Sequence, residues 1–137
     1  MAIMFSVRTF TGGLCSIVVI GVLVVSGCSG SAKKDPEAIY RDAALLARTG
    51  RYEEAAQLWK KAAELGHSKA MSDLGALYSN GLGVPEDWEE AVKWWTKAVQ
   101  AGDSESIYNV GVYHYKQGRF SQAFLWLNEA AIRGIAA

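Results

Sequence analysis

Two histidines, two pairs of adjacent glutamates, one Gly-x-Gly and two cysteines are the residues of this sequence with chemistry to offer. A metal centre needs several His, Cys or carboxylate ligands at set spacings. Neither His67 nor His114 has a second His or Cys at such a spacing. His67 reads as a solvated turn residue and His114 as a core or groove residue. Glu53-Glu54 and Glu89-Glu90 resemble paired carboxylates for acid–base work. Both pairs open an amphipathic helical pattern, where acids offset the positive end of the helix dipole. Gly81-Leu82-Gly83 follows a helical pattern rather than a strand, so it is not a nucleotide-binding turn. No nucleophile elbow, phosphate loop or zinc-protease helix occurs. The residues therefore predict no catalytic set, no metal and no cofactor. With 14 basic and 14 acidic side chains the chain also lacks the positive field that nucleic-acid binding requires.

Cys28 is the remaining reactive group. Ahead of it lie a start with Arg8 as its only charge, the apolar run Leu14–Val25, and the small residues Ser26-Gly27. A basic start, about 7–15 apolar residues and small residues at the end describe a secretory signal peptide. A membrane-spanning helix needs about 20 apolar residues. Val25-Ser26-Gly27-Cys28 resembles a bacterial lipobox, and that resemblance implies cleavage before Cys28 and attachment of lipid to its thiol. The alternative is an ordinary signal peptide, or an uncleaved anchor, that contains Cys28 by coincidence. Residues 1–27 are thus expected as leader and 28–34 as a tether of roughly 20 Å at full extension. The expected location is the cell envelope. By the same resemblance, Ser29 after the cysteine favours the outer membrane, with the protein facing the periplasm or the cell surface. Cys15 leaves with the leader, so no internal disulfide can form and stability must come from packing.

The elements that would position any site come from an internal repeat. Asp35–Gly66 aligns without a gap on Asp103–Gly134, with Asp35, Ile39, Tyr40, Gly50, Ala55, Ala62 and Gly66 meeting Asp103, Ile107, Tyr108, Gly118, Ala123, Ala130 and Gly134. His67–Gly102 fits the same template with four extra residues in its central loop. Each copy reads as two helices of about 14–16 residues. Asp35-Pro36-Glu37 supplies a cap, a first-turn proline and an acid. Asp87 and Glu90 have capping-box spacing. Tyr52, Ala55, Ala56, Trp59, Ala62 and Ala63 form one apolar stripe. Gly75 and Gly111 fall mid-helix, where glycine costs roughly 0.5–1 kcal/mol relative to alanine, so a neighbouring helix is expected to come close, presenting Ala91 and Ala98, or Ala123 and Ala130. Trp95 should be core, like Trp59. Trp94 should pack against the following pair or lie partly exposed. The fold class is all-α: an α-solenoid of three helix-turn-helix repeats (35–66, 67–102, 103–134) in a right-handed superhelix, with a stub at 135–137.

Met71-x-x-Leu74-Gly75-x-x-Tyr78, then Gly81-Leu82-Gly83-Val84, Ala91, Trp94-Trp95, Ala98 and Gly102, resembles a Sel-1-like repeat, a relative of the tetratricopeptide repeat. The first and third copies lack the Gly-x-Gly-Val loop and are nearer to tetratricopeptide units. Asp42 replaces Leu74, as suits the solvent face of a terminal repeat. The resemblance implies a non-enzymatic protein–protein interaction scaffold. Some relatives are disulfide-rich and associated with β-lactams; this chain has no cysteine in its repeats and departs from them, so the ligand is not carried over and a β-lactam-binding or hydrolysing enzyme stands only as an alternative. A small homo-oligomeric assembly subunit is another.

The resemblance further implies a partner groove lined by the first helices. Transferred position by position, it comprises Glu37, Tyr40 and Arg48, then Lys69, Ser72 and Asn80, then Glu105, Tyr108, Tyr115 and Lys116. A second expected surface is the apolar side of the last helix, at Phe124, Leu125, Trp126 and Ile132. The sequence stops where a fourth copy would begin, so this end is read as a contact for a homodimer or another protein, with truncation of a longer gene as the alternative.

Overall fold

The computed structural model describes residues 18–20, 23–25 and 35–135. Cys28, the tether 28–34 and residues 136–137 lie outside them. Of the expected leader, the described part is an antiparallel ribbon of β1 (Val18–Ile20) and β2 (Leu23–Val25), with Val18 opposite Val25 and Ile20 opposite Leu23. The unit Lys34–Ala137 is separate and, over its described residues, entirely helical: α1 (Pro36–Arg48), α2 (Tyr52–Glu64), α3 (Ser68–Asn80), α4 (Trp88–Gln100), α5 (Glu105–Lys116) and α6 (Phe120–Ile132).

The helices run 12 or 13 residues, shorter than the sequence suggests, because the ends of each stripe serve as caps. Asp35 accepts the Glu37 N–H. At the far end of α1, Gly50 takes φ +78°. Its N–H then donates to the Ala47 carbonyl, and the Arg51 N–H reaches back to the Leu46 carbonyl, a Schellman closure that satisfies carbonyls the helix cannot. The same pair of bonds recurs after α2, α4, α5 and α6. At α4 only half of the capping box forms. Asp87 accepts the Glu90 N–H at 2.9 Å, but its own N–H donates to the Tyr78 carbonyl, so the Glu90 carboxylate pairs with Lys93 instead.

Each helix packs on its neighbour in sequence: α1 on α2, α3 on α4 and α5 on α6 within pairs, α2 on α3 and α4 on α5 between them. This is an α-solenoid of helix-turn-helix repeats. One buried cluster runs from Ile39 and Ala43 through Ala55, Trp59, Ala62, Ala70 and Leu74 to Leu77 and Trp94; a second gathers Ala91, Trp95, Val110 and Tyr113. Trp94 therefore packs backward into the first cluster rather than forward.

The mid-helix glycines do mark close approaches, but to long side chains rather than to alanines. A Cβ on Gly75 would lie 2.6 Å from the Trp95 Nε1, and one on Gly111 would lie 2.7 Å from the Leu127 Cδ2. Ala91, Ala98, Ala123 and Ala130 are buried, yet the gap beside each glycine is filled by a residue laid across the helix. Gly83, at φ +68°, sits against α2, where any Cβ would overlap the backbone of Tyr52 and Glu53. That contact locks the loop of the middle repeat onto the first.

Candidate partner-binding face

Tyr40 is the centre of the face made by α1 and α3. Its ring stacks on His67 at 4.5 Å between centroids and 18° between planes, with Trp59 tilted beside it at 6.4 Å. His67 is not a solvated turn residue: its side chain is 14% exposed. Its Nδ1 accepts the Ala70 N–H at 3.1 Å and so caps α3. The proton must then sit on Nε2, which lies 2.9 Å from the Glu37 carboxylate and donates to it. One imidazole thus closes a helix end, stacks on a tyrosine and joins the first repeat to the second.

Tyr40 also adjoins Asp73. Burial, then the Asp73 charge and hydrogen bond, push the phenol up to about 12, with smaller contributions from Glu37 and Glu105. Burial raises the Asp73 carboxyl above its ordinary value, against the opposing pull of Tyr40 and Lys69. In the turn before α5, buried Asp103 accepts the Ser106 N–H at 2.9 Å and the Ser106 hydroxyl at 2.6 Å. The Ser106 and Ser72 hydroxyls lie 2.9 Å apart. Ser106 has one proton and the carboxylate is the stronger acceptor, so Ser72 supplies the proton between them.

Of the residues transferred to the groove, Glu37, Tyr40, Lys69, Ser72 and Glu105 therefore gather around His67, Asp73 and Ser106. Ser72 is half-buried and its carbonyl accepts the Trp95 indole N–H. Tyr108 is half-buried on α5. Arg48, Asn80, Tyr115 and Lys116 stand at the opposite ends of α1, α3 and α5. The Asn80 amide donates to its own helix at the Ala76 carbonyl. Lys116 Nζ lies 3.8 Å over the Trp88 ring, and Tyr115 meets Phe120 edge-on at 5.7 Å. His67 and Asp73 stand among the residues around Tyr40, with buried Asp103 and Ser106 beneath them, and sequence reasoning named none of the four for this face. The signal for Asp103 was its alignment with the cap Asp35.

On α6, Phe124, Leu125 and Ile132 are 67–73% exposed. Trp126 is half-buried against the second core cluster. Phe120 is also exposed. Among the described residues no three His, Cys, Asp or Glu side chains are grouped to hold a metal ion, and no helix is long and apolar enough to cross a membrane.

The Sel1 repeat family matches three times, over residues 36–67, 68–103 and 104–135. The chain belongs to the Sel1 repeat family. Among solved structures, the Sel1 repeat protein from Oxalobacter formigenes is 33% identical, with a TM-score of 0.62 over 73% of this chain and 44% of that one. A protective antigen of uropathogenic Escherichia coli strains that displays an SLR fold is 27% identical, with a TM-score of 0.66 over 73% of this chain and 23% of that one. This Sel1 chain thus spans less than half the length of either relative. No curated protein matches it. Sel1 repeats generally mediate protein–protein interaction and are generally non-catalytic.

Proposed function

We propose that this Sel1 protein is a non-enzymatic adaptor, anchored in a bacterial envelope by lipid on Cys28, that holds a protein partner across the face of α1, α3 and α5. The observation that supports this reading most is the Glu37–His67–Tyr40–Asp73 chain of contacts. It fixes a half-buried aromatic ring between two repeats and surrounds it with carboxylates. A rigid aromatic among fixed charges contributes contact area without losing rotamer entropy on binding. Glu37, Asp73 and Glu105 favour a partner segment that carries lysine or arginine.

The test is crosslinking in intact envelopes followed by recovery of the protein, comparing wild type with Tyr40→Ala and Tyr108→Ala. Loss of the same partner from both variants supports the face. An unchanged partner set refutes it. Lipid attachment is tested separately by incorporation of labelled fatty acid, which Cys28→Ser should abolish. Equal labelling of that variant would sink the anchor.

A further inference from the structure

The solvent side of the second helix in each repeat is set by four positions spaced four, three and four residues apart. On α2 they are Glu53, Gln57, Lys60 and Glu64, all exposed; on α4 they are Glu89, Lys93, Thr96 and Gln100, exposed apart from half-buried Thr96. These positions stay in solvent, or nearly so, although another repeat is stacked on each helix. On α6 the same positions are Ser121, Leu125, Asn128 and Ile132, again all exposed. A following repeat stacked in the same manner would cover the flank of α6 at Phe120 and Phe124, the places of Tyr52 and Ala56, and would leave this stripe open. The stripe is therefore a surface in its own right, and unlike its two counterparts it carries no charge.

We infer that this stripe pairs with the same stripe of a second copy, antiparallel about a two-fold axis at Asn128. Three observations select that occupant. The four–three–four spacing is that of a helix–helix seam. An isologous contact must be complementary to itself: antiparallel alignment on Asn128 sets one amide opposite the other and brings Leu125, three residues before the axis, beside Ile132 of the other copy, four residues after it. Within that pairing the two Asn128 amides can satisfy each other, which favours this register over a shifted one. Finally, the stripe offers no charge for a charged partner to recognise. Leu125 and Ile132, with Phe124 beside them, are 67–73% exposed, and two such faces together approach the area of a small specific interface, about 1,000 Å².

The test uses the full chain in its native envelope, with cysteine crosslinking at the axis. Asn128→Cys should give a disulfide-linked dimer. Gln57→Cys, the matching position on α2, should not, which also controls for the natural cysteines. Adding Leu125→Glu should reduce the Asn128→Cys dimer at least tenfold. Adding both Leu125→Lys and Ile132→Glu should restore it, since each lysine then faces a glutamate of the other copy. The circular dichroism of every variant should match wild type, because both residues lie on the surface. A dimer that persists with Leu125→Glu overturns the proposal. So does a chain that stays single, or a crosslink to a protein of different mass.

Discussion

Gly75→Ala tests whether the packing argument is quantitative. The new Cβ would lie 2.6, 2.7 and 3.0 Å from the Trp95 Nε1, Cδ1 and Cε2, against an ordinary separation of about 3.5–4.0 Å. The indole must retreat by about 1 Å. Overpacking of this kind costs about 1–3 kcal/mol. Retreat also stretches the 3.1 Å hydrogen bond from the indole N–H to the Ser72 carbonyl, a further loss of about 1 kcal/mol. Alanine regains about 0.5–1 kcal/mol of helix propensity. The net expectation is a loss of about 2 kcal/mol, or about 10 °C in Tm for a unit of this size. The first repeat supplies the internal control. It has Ala43 at the place of Gly75, and there the buried Trp59 indole N–H finds no partner. Ala43→Gly should fall within about 1 kcal/mol of wild type, since helix propensity lost and hydrogen bond gained are of similar size. Urea unfolding followed by circular dichroism and tryptophan fluorescence reads both variants. A Gly75→Ala protein as stable as wild type would mean that helix propensity outweighs the contact, and the glycine would then need another explanation.

Replacing Asp87 with Ala should cost about 1 kcal/mol by removing the α4 cap, read as a lower urea midpoint at unchanged slope. Tyr40 is held neutral to about pH 12 in the folded protein against 10 for the free phenol. The stability it contributes is thus complete below pH 10 and lost as pH rises from 10 towards 12; Tyr40→Phe should flatten that alkaline limb, and an unaltered limb would contradict the assignment. His114 behaves in the opposite sense. Burial first, and the nearby Arg119 charge second, lower its pKa below 6.5, so the unfolded chain takes up the proton first and stability falls as pH drops below 6.5. His114→Gln should retain more of its neutral-pH stability at pH 5 than wild type does, and unfolding midpoints at pH 5 and 7 check this.

The repeat was legible because its markers are local. A glycine just past a helix end or an alanine in an apolar stripe acts within its own turn, and Gly50, Gly66 and Gly102 could be read without knowing what lay opposite. Gly75 and Gly111 were legible only in part. Their cost announces a close approach, but periodicity along one helix does not say whether a backbone or a side chain crosses it. Trp95 and Leu127 fill those places because each is the long residue at the same repeat position. The face of α1, α3 and α5 was legible only in part for a related reason. Glu37 and Tyr40 follow from position within a repeat, whereas the role of His67 exists only at the joint, where one ring is at once the cap of α3 and the stacking partner of α1. For α6 the sequence showed apolar residues on every side but not which would remain in water. Comparison with α2 and α4 decides that, since the structure shows which positions a stacked repeat leaves uncovered. What a solenoid does to a residue is thus fixed less by its own helix than by its place relative to the next joint, and that place can be read from sequence only where an earlier repeat displays it.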